Sequence, residues 1–274
     1  MFEIFASTDA WVALITLTFL EIILGIDNIV FISIAASKLP AKQQKKATNW
    51  GLALAMIQRI LLLIGVSFLI ALKEPFYTIN TSWLTVGLSW QSLILFFGGL
   101  FLLYKSTSEI HEKVEIPKHD ETKIKQKNLT TLSRALVQIL IIDFIFSIDS
   151  ILTAIGMTNG IGEKPEDALI LMVIAVVISI LIMMIFANAI RQFINNHPSM
   201  QLLALSFLIL IGFMLITESA HLSETVIFGQ EIGAIPKGYL YFAIAFSLFI
   251  EFLNMKLKKK INYVEEETPE LNEK

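Results

Sequence analysis

The sequence predicts an all-α membrane protein with seven transmembrane helices, arranged as an inverted 3+3 repeat plus a seventh helix. Three observations carry this prediction. The 274 residues are 55% hydrophobic and only 16% charged, whereas soluble domains carry about a quarter charged residues. Lys and Arg crowd into alternate connections between the apolar stretches. One acidic motif occurs twice, 122 residues apart. The charge deficit excludes a soluble globular enzyme and a disordered chain. A net charge of -3 without a basic face argues against a nucleic-acid partner. The absence of cysteine removes disulfides, iron–sulfur clusters and thiolate metal sites together.

A membrane-crossing helix needs about 20 mostly apolar residues. Seven stretches qualify: Trp11–Ala36, Trp50–Leu72, Trp83–Tyr104, Arg134–Gly156, Ala168–Ile190, Gln201–Thr217 and Gly238–Met255. Their period is helical or absent, without the alternating segments of a barrel. Span 1 follows an acidic lead (Glu3, Asp9) with no basic region, so it reads as a retained helix rather than a cleaved signal. Residues 105–133 are polar and charged and read as a partly mobile cytoplasmic linker, in which Glu109, His111 and Glu112 are expected to be solvated. The tail from Lys256 opens basic and closes acidic. Its basic part suits anionic headgroups. The resulting organisation is a first three-helix repeat (1–104), the linker (105–133), an inverted second repeat (134–217), an outer loop with span 7 (218–255) and a cytoplasmic tail (256–274).

Basic residues set orientation. Seventeen lie in the connections on one side, among them Lys38, Lys42, Lys45, Lys46, Lys105, Lys113 and Arg191. The other side holds three, Lys73, Lys164 and Lys237, and Arg59 sits inside span 2. The bias puts the N-terminus outside and the C-terminus in the cytoplasm of a cell (plasma or inner) membrane.

Span 1 contains Glu21-Ile-Ile-Leu-Gly-Ile-Asp27-Asn28, and span 4 contains Asp143-Phe-Ile-Phe-Ser-Ile-Asp149-Ser150. Both read acid, five residues, acid, small polar residue. The two spans run in opposite directions, so the pattern marks an inverted repeat, which places substrate sites near the bilayer midplane. At about 1.5 Å rise per residue, Glu21 lies about 15 Å from the outer face and Asp143 about 13 Å from the inner one. Spans 3 and 6 add a weaker echo, Gly99-Leu-Phe-Leu-Leu and Gly212-Phe-Met-Leu-Ile, whose small residues favour close helix packing.

A spacing of six turns the two acids of one helix about 120° apart. Either the site spans a wide face or the helix unwinds between the acids. Gly25 and Ser147 hold equivalent places there and are the expected hinges. Each ionised side chain at a helix centre costs about 2.5–3.5 kcal/mol on insertion scales, so four acids would cost about 10–14 kcal/mol by addition. Arg59 is the intramembrane cation on offer; it either holds one acid of the cluster or pairs with Glu251 of span 7.

Clustered carboxylates with Asn and Ser oxygens favour a hard divalent cation. Glu21, Asp27, Asn28, Asp143, Asp149 and Ser150 are therefore the candidate ligands of a transported metal. The cation is substrate; no resident cofactor is expected. Acids grouped in a water-poor site bind protons when empty, so metal loading would release protons and make them counter-ions. No His stands near Ser147 or Ser150, which argues against nucleophilic catalysis. No nucleotide motif points to a built-in ATPase.

The paired motifs at 21–28 and 143–150, with Gly98-Gly99 leading to Glu109-Ile-His-Glu112, resemble those of the TerC family of integral membrane proteins. The resemblance implies a seven-helix transporter of the wider LysE-like superfamily, whose members are linked to manganese export. It carries functional weight to Glu21, Asp27, Asn28, Asp143 and Asp149. It sets the expected function as export of Mn²⁺ or a similar divalent cation, by a protein that is not an enzyme. The family's link to tellurium resistance does not fit such a site directly, because carboxylates repel an anion. Two other readings remain: a membrane assembly or metalation partner that transports nothing, and an intramembrane aspartic protease. The protease lacks its usual Gly-x-Gly-Asp pattern here.

Overall fold

The computed structural model describes residues 3–115, 131–158, 161 and 165–267. These residues include seven helices long and apolar enough to cross a membrane. Helix α1 (Thr8–Ser37) starts where Ser7 accepts a hydrogen bond from the Ala10 amide at 3.2 Å, with Asp9 in the first turn complementing the helix dipole. Pro40 separates α1 from α2 (Ala41–Ile64). Gly65 separates α2 from the short α3 (Val66–Ala71). Then come α4 (Trp90–Glu115), α5 (Leu132–Thr158), α6 (Pro165–Asn196) and α7 (Pro198–Leu222). Pro198, which needs no amide partner at a first helical position, opens α7. Last comes α8 (Lys237–Glu267).

All seven expected spans are helices, but several bounds move. Span 2 begins nine residues before Trp50, at Ala41, and its last turn is the separate α3. Residues 105–115, read from sequence as linker, continue α4. Residues 116–130 lie outside the described residues, as do Lys164 and the end of the tail. Residues 218–222, read as outer loop, complete α7.

The helical bundle carries a small sheet at one end. Strands β1 (Pro75–Asn80) and β2 (Leu84–Ser89) form an antiparallel hairpin, and β3 (Val226–Ile227) and β4 (Gln230–Glu231) extend it to a four-stranded sheet. Thr85 pairs with both Asn80 and Val226. Phe228 (φ 49°) and Gly229 (φ 77°) make the tight turn between β3 and β4, the left-handed pair that suits a two-residue hairpin. Most of the region read as the start of span 3, Leu84–Ser89, is thus strand. Its alternation of Leu84, Val86 and Leu88 with Thr85, Gly87 and Ser89 is the period-two signal of such a strand.

The chain divides into two compact units, residues 1–234 and 235–274, the second holding α8. In the first unit α1 is the central helix, packed against α2, α5, α6 and α7. Its Leu17, Ile29, Phe31, Ile32 and Ala36 are buried. The principal pairs are α1 with α6, α2 with α5, and α4 with α7. Exchanging α1 with α5, α2 with α6 and α4 with α7 returns the same pairs. The α4–α7 pair is close because two glycines face each other. A Cβ on Gly99 would lie 2.5 Å from the Gly212 carbonyl oxygen, and one on Gly212 would lie 2.9 Å from that of Gly99. Large apolar side chains such as Phe19, Leu61, Phe97 and Ile185 stay exposed on the outside of the bundle, the surface that lipid covers.

Candidate cation site

The centre of the first unit is a buried polar network built on Arg59. This residue lies on α2 and is 2% exposed; Glu21 of α1 is 3% exposed and Asp143 of α5 is 4% exposed. Arg59 Nη1 donates to Glu21 Oε2. Its Nη2 donates to Asp143 Oδ1 at 2.8 Å, and its Nε reaches the same oxygen at 3.2 Å. Asn28 Nδ2 donates to Asp143 Oδ1 at 3.2 Å, and Ser147 Oγ donates to Asp143 Oδ2 at 3.2 Å. Asp143 thus accepts from three side chains on α1, α2 and α5. Next to Arg59, Gln58 donates to the Leu140 carbonyl at 3.2 Å and ties α2 to α5 a second time.

Local sequence explains the placement. Glu21 and Asn28 are seven residues apart on α1, two turns, and so share the face that meets α5. Asp143 and Ser147 are four apart on α5, one above the other. Small neighbours let the helices close in. Ile139 packs over Gly51 on α2, and Met183 of α6 packs over Gly25 on α1. Deep in an apolar bundle, charged groups persist only when paired and hydrogen-bonded. Two carboxylates and one guanidinium leave one net negative charge if all three are ionised.

The candidate residues therefore separate. Glu21, Asn28 and Asp143 come together. Ser150 is buried, and its hydroxyl turns to the Ser147 carbonyl at 3.4 Å. Asp149 is half-buried, six residues further along α5. The Asp27 side chain lies outside the described residues. Among the described residues, no three Asp, Glu or His side chains form a group that could hold a metal ion. Gly25 and Ser147 are not breaks: α1 and α5 run uninterrupted through both. The reason is local, since Gly25 seats Met183 and the Ser147 hydroxyl is spent on Asp143. Of the two partners that the sequence offers Arg59, it takes the central acids, and two of them at once. Glu251 belongs to the second unit, where Asn254 donates to it at 3.3 Å.

Sequence reasoning also missed Glu109. It is 4% exposed on α4 and held by Lys38 Nζ at 2.5 Å and Lys105 Nζ at 2.7 Å. The signal was the i,i+4 spacing of Lys105 and Glu109, a helical pair inside a stretch dismissed as linker.

Comparison with known proteins agrees with the architecture. The model of the integral membrane protein TerC family matches residues 6–266. The UPF0053 inner membrane protein YgdQ of Escherichia coli K12 is 42% identical over 260 residues, covering 95% of this chain and 98% of its own length. A UPF0053 protein of Haemophilus influenzae is 39% identical over 259 residues, covering 94% and 99%. The UPF0053 protein YegH of Escherichia coli K12 is 42% identical over 252 residues, which make up 43% of that longer chain. No solved structure matches.

Proposed function

The chain belongs to the TerC family of integral membrane proteins, and on that premise we propose that it is a secondary transporter that exports a divalent cation, Mn²⁺, from the cytoplasm. One observation carries the reading: Glu21 and Asp143, at equivalent positions of a repeated motif on two helices, are buried mid-span and converge on one guanidinium. A water-poor centre that gathers acids from both halves of a bundle is costly unless it handles positive charge. In the resting arrangement Arg59 supplies that charge. In the loaded one the cation takes carboxylate oxygens from Arg59, with Asp27, Asn28, Asp149 and Ser150 completing the shell along the path. The unpartnered, buried Asn28 Oδ1 is an oxygen ready for a cation. Inverted halves rocking about this centre would give alternating access. The helix-pairing pattern supports such a twofold. The end of the bundle bearing Lys38 and Lys105 faces the cytoplasm, and protons return as cations leave.

The test is manganese content in cells expressing wild type, Asp27→Asn or Asp149→Asn. Both variants are expected to lose manganese tolerance and accumulate the metal. Unchanged tolerance in both would remove the site assignment. The second reading, a membrane assembly protein that moves nothing, rests on the same ion pair, since Arg59 already compensates Glu21 and Asp143 as a purely structural pair would.

A further inference from the structure

A small pocket opens between α1, α4, α5 and α7 on the side of the central network that leads to the Lys38 end of the bundle. Gln138 on its wall is five residues before Asp143, so the pocket lies about 7.5 Å from the network along α5. Its polar lining is Lys38, Lys105, Ser106, Glu109 and Gln138, and Leu205 of α7 supplies part of the apolar wall. The Glu109 carboxylate sits inside with one oxygen, Oε1, bound by both ammonium groups. Lys38 also reaches Glu112 at 3.4 Å. Both lysines are about a quarter exposed, at 26% and 27%, so each has a route back to water, whereas Glu109 is buried.

Ser106 makes this more than an ion-pair cluster. Its side chain is 1% exposed and lines the pocket, yet its hydroxyl finds no hydrogen-bond partner among the described residues. Helical serines ordinarily bond the carbonyl one turn back, as Ser33 and Ser206 do. A buried hydroxyl without a partner is a cost that calls for a missing ligand. A carboxylate and a hydroxyl from α4 and an amide from α5, lining one pocket, are a hard-cation donor set.

We propose that this pocket is a loading subsite for the transported divalent cation, formed by Glu109, Ser106 and Gln138, where the ammonium groups of Lys38 and Lys105 hold the cation's place until it arrives. The inference deepens, and rests on, the cation-transport reading. Two tethered monovalent charges can be displaced by one divalent ion without leaving Glu109 unpaired. The displaced lysines swing to water, and the cation waits about five helical residues from Asp143.

The experiment follows the lysines rather than transport. The full-length protein in detergent is treated with an amine-acylating reagent, with and without Mn²⁺, at ionic strength matched by KCl. Acylation is read residue by residue by mass spectrometry, with the exposed Lys42, Lys45 and Lys46 as internal references. Mn²⁺ is expected to speed acylation of Lys38 and Lys105 several-fold and leave the references unchanged. Glu109→Gln should acylate fast at both lysines without metal and show no further response. Ser106→Ala, which keeps both ion pairs, should melt no lower than wild type and need several-fold more Mn²⁺ for the same response. Asp143→Asn should still respond. No Mn²⁺ response in wild type, an equal response to KCl, or an unchanged Mn²⁺ requirement in Ser106→Ala would each overturn the subsite. A preserved lysine response in a protein that moves no Mn²⁺ would retain the subsite and remove the transport reading instead.

Discussion

Arg59 is stable at the bundle centre only while Glu21 and Asp143 face it. Removing one member of a buried ion cluster leaves an uncompensated charge and costs about 3–5 kcal/mol. Arg59→Met is therefore expected to lower the melting temperature in detergent sharply. Adding Glu21→Leu and Asp143→Leu should recover most of the loss, because apolar replacement of a whole buried cluster is often neutral. A single variant that melts like wild type would mean the network contributes no stability. The sequence revealed that Glu21, Asp143 and Arg59 were out of place in apolar surroundings. It did not reveal that one guanidinium would serve two acids, because that depends on how α2 wedges beside α1 and α5. The roles of Ser147 and Gly25 were misassigned for a related reason. Small residues inside a helix suggest both weakness and close packing, and the neighbours Asp143 and Met183 decide between them.

At the scale of elements, the α4–α7 contact depends on backbone approach. Gly99→Ala places a methyl 2.5 Å from a carbonyl oxygen on the facing helix, where nothing can rotate away. Overpacking of this kind costs about 1–3 kcal/mol. Gly25→Ala meets only the flexible thioether of Met183, so it should cost less. Melting curves for the two variants in one detergent check the order, and the reverse order would contradict the packing described. Hydropathy located every long helix, because span length is set by the membrane. It failed at the hairpin of β1 and β2, where a continuous apolar window merged a strand with the helix behind it. It also failed at 105–115, where polar residues continue a helix beyond its apolar part.

For the whole molecule, charge bias and the motif offset supply the orientation and the twofold on which the transport proposal rests, and neither signal requires a fold. What the sequence could not locate was the pocket of Lys38, Ser106 and Glu109, since its walls come from four helices. The orientation has a direct check, because the chain contains no cysteine. Lys42→Cys is expected to react with a membrane-impermeant maleimide only from the cytoplasmic side, and Thr81→Cys, in the β1–β2 turn, only from outside. The opposite labelling would invert the transport direction proposed.

The most direct measurement is Mn²⁺ movement by the purified protein alone in liposomes, comparing wild type with Asp143→Asn and Glu21→Gln. Wild type should carry Mn²⁺, with flux that responds to an imposed pH gradient. Each variant should be slowed at least about tenfold, the low end of what even outer-shell changes do at metal sites. Liposomes with wild-type protein that pass no more Mn²⁺ than empty ones, or variants as fast as wild type, would contradict a transport site at the shared carboxylates.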